Sequence, residues 1–165
     1  LFENGGSDAA LALITAQNDR SWAHMLKSGT TVTWEAWDQK YKPNQDWNHA
    51  WGAAPANLLP RFVLGVQPLT PGWRRVLIHP LPGSLTRAEG KIPTPRGPVL
   101  VSWTRGTGFR MTLDLPAAVT ARVELPASGV SQGVLVGGKP APARRSGGYW
   151  VLEKDVAGAV TIEER

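Results

Sequence analysis

The stretch Phe109-Arg110-Met111-Thr112-Leu113-Asp114-Leu115 decides the fold. Its apolar residues alternate with polar ones at a strict period of two, as in a strand with one face in a core and the other in water. The same pattern recurs on both sides of it. Arg74–His79, Val99–Trp103, Val119–Leu125, Gly133–Val136, Tyr149–Glu153 and Ala159–Glu163 are further strand candidates, separated by Gly, Pro and Ser at short intervals. Many short alternating strands with turn residues between them predict an antiparallel β-sandwich over residues 74–165. Gly137-Gly138 and Gly147-Gly148 read as its hairpin turns.

Upstream of Pro68-Leu69-Thr70-Pro71-Gly72 the text turns helical, so the fold class is α+β, a helical segment over 1–73 followed by the sandwich. Ser7 is a candidate N-cap for a helix running from Ala9 to Gln17, with Asp8 in its first turn. Ser21 or Asp19 caps a second helix with Trp22, Met25 and Leu26 on one stripe, and Gly29 suits the left-handed position past its end. Thr30 to Asp38 is β-branched and aromatic, which predicts an extended segment. Helicity returns at Pro55 and runs through Leu58, Leu59, Phe62, Val63 and Val66, with a kink or restart at Pro60. These helical pieces have little to cover their apolar stripes. They are expected to be the last slice of a larger helical domain, and Leu1-Phe2-Glu3-Asn4 reads as a cut rather than a beginning.

Composition narrows the function. The chain has 165 residues, 42% of them hydrophobic and 19% charged, with no cysteine and a formal charge of +5. No apolar run approaches the ~18 residues of a membrane helix, so no membrane partner is expected. Residues 1–73 carry five Lys and Arg against six Asp and Glu, and residues 74–165 thirteen against seven. Those cations are scattered and no aromatics interleave with them, which argues against nucleic acid. Without cysteine there is no thiol nucleophile or thiolate-bound metal, and His49 has no second His at ligand spacing, so neither metal nor cofactor is expected.

Eight tryptophans stand against three Phe and two Tyr. Trp34-Glu35-Ala36-Trp37-Asp38 and Asn44-Gln45-Asp46-Trp47-Asn48-His49-Ala50-Trp51 gather four indoles, three carboxylates and an imidazole. Flat rings beside carboxylates suit the C–H faces and hydroxyls of sugars, and glycoside hydrolysis needs two carboxyl groups. Glu35, Asp38 and Asp46 are the candidates. Trp34 and Trp37 are expected to desolvate Glu35 and raise its pKa.

Gly29-Thr30-Thr31-Val32-Thr33-Trp34-Glu35-Ala36-Trp37-Asp38, Trp47-Asn48-His49-Ala50-Trp51-Gly52, Pro71-Gly72-Trp73 and Thr94-Pro95-Arg96-Gly97 follow in an order and spacing that resembles bacterial α-L-rhamnosidases. The resemblance implies that 1–73 is the C-terminal part of a six-hairpin (α/α) barrel and 74–165 the C-terminal β-sandwich domain of an inverting glycosidase. It also implies that Glu35 is the general base and that Trp34, Trp37, Asp38, His49 and Trp51 bind the substrate, a rhamnose-containing glycoside. The family's general acid lies in an acidic motif further upstream, and no such motif precedes Glu35. The isolated chain is therefore expected to be inactive, with the upstream part of the barrel or a second copy as its partner. The full-length protein is expected to be soluble, with the periplasm or secretion as candidate locations. A carbohydrate-binding module without catalysis, and a purely structural module with core tryptophans, stay open as alternatives.

Overall fold

The computed structural model describes all residues, 1–165. The chain divides into two compact units, Leu1–Leu58 and Leu59–Arg165. No helix is long and apolar enough to cross a membrane.

The first unit holds three short helices, α1 (Ser7–Ile14), α2 (Trp22–Lys27) and α3 (Ala54–Leu58). Gly6, not Ser7, is the N-cap of α1, which stops at Ile14 where the Thr15 hydroxyl turns back to the Leu11 carbonyl at 2.8 Å. Ser21 does cap α2, its hydroxyl accepting the His24 N–H at 3.1 Å, and Gly29 follows at φ 81°. Thr30–Asp38 is a run of bends with no strand, which corrects the extended reading. Two backbone bonds tie it to one other loop, His49 N–H to Thr33 C=O at 2.8 Å and Glu35 N–H to Asp46 C=O at 3.0 Å. Two bonds are too few to make a ladder.

In the second unit Leu59–Val63 forms a π-helical turn, closed by the Leu64 N–H on the Leu59 carbonyl at 3.0 Å. Pro60, lacking an N–H, sits inside this wider turn, where the α-helix that ends at Leu58 gives way to a π-helical one. Twelve strands follow: β1 (Val66–Pro68), β2 (Arg75–Ile78), β3 (Arg87–Ile92), β4 (Val99–Arg105), β5 (Phe109–Asp114), β6 (Thr120–Pro126), β7 (Val134–Val136), β8 (Lys139–Ala141), β9 (Ala143–Ser146), β10 (Tyr149–Leu152), β11 (Val156–Ala157) and β12 (Ala159–Glu164). One sheet runs β1-β2-β6-β10-β9 with β11 also on β6, and the other runs β3-β4-β5-β12-β7-β8. Every pair is antiparallel except β2 with β6, where Val76 faces Ala121 and Ile78 faces Val123 in parallel. Between those two strands the chain visits the other sheet through β3, β4 and β5, and that crossover returns it in the same direction.

Alternation is realised as expected. Phe109, Met111 and Leu113 are buried while Arg110, Thr112 and Asp114 face out, and Val99, Val101, Trp103, Val123, Leu125 and Ile162 join them in the core. Trp103 stacks on Phe109 with centroids 5.3 Å apart and donates its indole N–H to the Val63 carbonyl at 2.9 Å, so its polar atom is not left bare. Both glycine pairs turn hairpins with positive φ, 59° and 76° at Gly137-Gly138 and 57° and 82° at Gly147-Gly148. Val66, read as helical from its spacing, opens β1. Gly65 at φ 79° breaks the helix before it, and a Cβ there would lie 2.3 Å from the His79 carbonyl carbon.

Candidate functional site

Both tryptophan-rich motifs lie in the first unit, held together by their backbones. Beyond the two bonds of the crossing loops, the Thr33 hydroxyl donates to the His49 carbonyl at 2.9 Å and the Trp22 indole to the Gly52 carbonyl at 2.6 Å. Gly52 permits the approach, since a Cβ there would stand 2.6 Å from the Trp34 carbonyl oxygen.

Glu35 is at the centre of this crossing, its side chain 10% exposed. The Lys42 ammonium donates to its Oε1, and the Asp46 backbone N–H donates to Oε2 at 3.0 Å. Its own carbonyl accepts the Trp51 indole N–H at 2.9 Å. The Lys42 ammonium, and after it the Asp46 N–H, hold the Glu35 carboxyl below its ordinary pKa against the opposing effect of burial. That overturns the expected rise. Trp34 packs edge-on to Trp47 at 4.9 Å, and Trp37 edge-on to Trp22 at 4.9 Å.

Asp38 is engaged on both oxygens. His24 Nε2 lies 2.7 Å from Oδ2, and the Lys40 N–H donates to Oδ1 at 3.1 Å. The Lys40 N–H first, and then His24, lower its pKa. His49 leans its ring on Trp51, centroids 4.4 Å apart at 32°, and begins the short turn Ala50–Ala53. Trp51 is 66% exposed and Trp47 49%, whereas Trp34 is buried. The structure thus brings Glu35, His49, Trp51 and Asp46 to one place, while Asp38 pairs with His24, Trp37 packs on Trp22 and the buried Trp34 on Trp47.

One carboxylate oxygen each of Glu35 and Asp46 and one ring nitrogen of His49 lie within 4.8 Å of one another. These are donor types that can hold a cation, but the cation facing Glu35 is the ammonium of Lys42. Nothing in the sequence pattern singles out Lys42, Gln45 or His24, and only folding reveals them. Gln45 is 5% exposed, with its side-chain oxygen accepting the Ala36 N–H at 3.1 Å, so it fixes the backbone next to Glu35.

A carboxylate kept ionised beside exposed indoles is equipped to polarise a water next to a sugar. Comparison with known proteins gives this chain its class. Residues 1–63 match the family model of the bacterial alpha-L-rhamnosidase 6 hairpin glycosidase domain, and residues 65–139 that of the bacterial alpha-L-rhamnosidase C-terminal domain. The class is that of the glycoside hydrolases. The chain belongs to the bacterial α-L-rhamnosidase family. It is 32% identical over 136 residues to an alpha-L-rhamnosidase of Alteromonas sp. (strain LOR), and 31% identical over 137 residues to one of Streptomyces avermitilis. Each match takes in 77% of this chain but only 15% and 13% of those relatives' lengths. The fold is similar to that of the Dictyoglumus thermophilum alpha-L-rhamnosidase, at a TM-score of 0.83 and 20% identity over 99% of this chain and 19% of that one. It also resembles the Streptomyces avermitilis enzyme complexed with L-rhamnose, at a TM-score of 0.78 and 25% identity over 99% of this chain and 16% of that chain.

Proposed function

We propose that this chain is the C-terminal portion of an inverting α-L-rhamnosidase, in which Glu35 is the general base and the tryptophan-rich loops bind the sugar. One observation carries the reading: the shielded Glu35 carboxyl is gripped by the Lys42 ammonium and the Asp46 N–H, with a His49 ring nitrogen within 4.8 Å and the exposed Trp51 indole tied to its backbone. A base must be unprotonated when water arrives, and the Lys42 ammonium and the Asp46 N–H favour that state. Water polarised by Glu35 attacks the anomeric carbon from the face opposite the leaving oxygen. A carboxylic acid from another part of the protein protonates that oxygen, roughly 6.5–9.5 Å from the base to leave room for the water. Trp51 and His49 then face the sugar, while Trp34, Trp37 and Asp38 hold the loops that present them. The other partner is that part of the helical domain which supplies the acid. Without it the chain by itself does not hydrolyse glycosides.

Product stereochemistry tests the reading. A complete protein carrying this segment, given an aryl α-L-rhamnoside and followed by proton NMR from the first turnovers, should release β-L-rhamnose before mutarotation. Release of the α-anomer first would mean retention and a different role for Glu35.

A further inference from the structure

Within that reading, whose assignment of Glu35 as base it requires, we infer that Lys42 is a positioning residue for Glu35, clamping one carboxylate oxygen while the Asp46 N–H clamps the other. Lys42 lies seven residues beyond Glu35 and is brought back by a turn anchored at several points. The Asp38 carbonyl accepts the Tyr41 N–H at 3.0 Å, and the Lys42 carbonyl accepts the Gln45 N–H at 3.1 Å. Asp19 fixes the same turn from outside, accepting the Tyr41 hydroxyl at 2.7 Å and pairing with the Lys40 ammonium. The ammonium is therefore delivered by a braced loop, so less side-chain freedom is lost on pairing than for a lysine on a mobile arm.

The pairing has two consequences. With one oxygen on Lys42 and the other on Asp46, the carboxylate plane is set, and a remaining lone pair is left to accept a water proton. The charges facing Glu35 are the Lys42 ammonium, the Asp46 carboxylate and the His49 ring, so Lys42 is the fixed cation that offsets a second carboxylate within 4.8 Å. Removing it leaves two neighbouring carboxylates with the Asp46 N–H and the His49 ring as the groups that still favour the ionised form, which shifts the balance toward a proton on Glu35.

The test uses this chain labelled with carbon-13, with the Glu35 side-chain carboxyl followed by NMR through the acid range in the native protein, Lys42→Met and Lys42→Arg. Lys42 is 41% exposed on its side chain, so both variants should keep the native amide spectrum. The expected result is a midpoint moved to higher pH in Lys42→Met and restored downward in Lys42→Arg. In the complete enzyme the acidic limb of kcat/KM should move the same way, which a purely structural lysine would not produce. An unchanged Glu35 midpoint in Lys42→Met overturns the inference. The function reading fails separately, if Glu35→Gln leaves turnover intact in the complete enzyme.

Discussion

The indole N–H of Trp51 donates to the backbone carbonyl of Glu35 at 2.9 Å, although two-thirds of the Trp51 surface is open to solvent. The polar edge of the ring is tied to the residue proposed as base, the His49 ring leans on the indole, and the rest of its surface is open. A residue so placed fixes a distance between a stacking platform and a carboxylate.

Trp51→Phe should therefore keep sugar affinity largely intact while loosening the platform, and Trp51→Ala should lose the face altogether. In the complete enzyme the alanine variant is expected to raise KM about 2–10-fold, the scale of one aromatic contact. A KM unmoved in Trp51→Ala would take Trp51 out of the sugar site.

Gly65→Ala should destabilise the second unit by at least about 2–3 kcal/mol, because the new Cβ meets backbone and the φ of 79° is strained for alanine. Gly106, with open space around its Cα, is the control and should tolerate alanine to within about 0.5 kcal/mol. Urea unfolding reads both.

Met111→Ala should cost about 2–5 kcal/mol, since Met111 is fully buried where β4, β5 and β12 meet. A loss below about 1 kcal/mol in urea unfolding would mean the core collapses to fill the gap.

The sandwich should also lose stability in acid through Asp155. Arg75 donates to both its oxygens, at 2.6 and 2.8 Å, and holds its carboxyl below the ordinary range. Because the native state releases the proton more readily than the unfolded chain, the contribution is complete above the unfolded pKa of about 3.9 and lost as pH falls through the native value. Arg75→Met should lower the urea midpoint near neutrality and progressively less as the pH falls through the native value, below which Asp155 is protonated in both states. An equal loss at every pH would assign the effect to packing of the arginine stem.

Much of this was legible in the sequence, and the limits are physical. β5 was read from its alternation because its outward positions are plainly polar. β3 is hidden in the sequence because Arg87, Glu89 and Lys91 dominate its text and Gly90 interrupts it. The structure explains that glycine: a Cβ there would stand 2.4 Å from a methyl of Leu64. β8 and β9 are short hairpin arms rich in Pro, Lys and Arg, whose pairing is set by the glycine turns more than by hydrophobic pattern. In the site, Glu35 stood out by its tryptophan neighbours, yet those neighbours do not control its charge. Lys42 does, from across an irregular loop, and no sequence period predicts a contact of that kind.

The measurement closest to the central claim is turnover of Glu35→Gln in the complete enzyme. The substitution keeps the size of the side chain and an oxygen for the Asp46 N–H, and removes the proton acceptor. Loss of general-base catalysis predicts a fall in kcat of about 10²–10⁴-fold with KM changed little. Asp38→Asn, which alters a group already engaged by His24 and the Lys40 N–H, should cost less. Near-normal turnover in Glu35→Gln, with activity abolished in Asp38→Asn or Asp46→Asn, would contradict the account and move the base to another carboxylate.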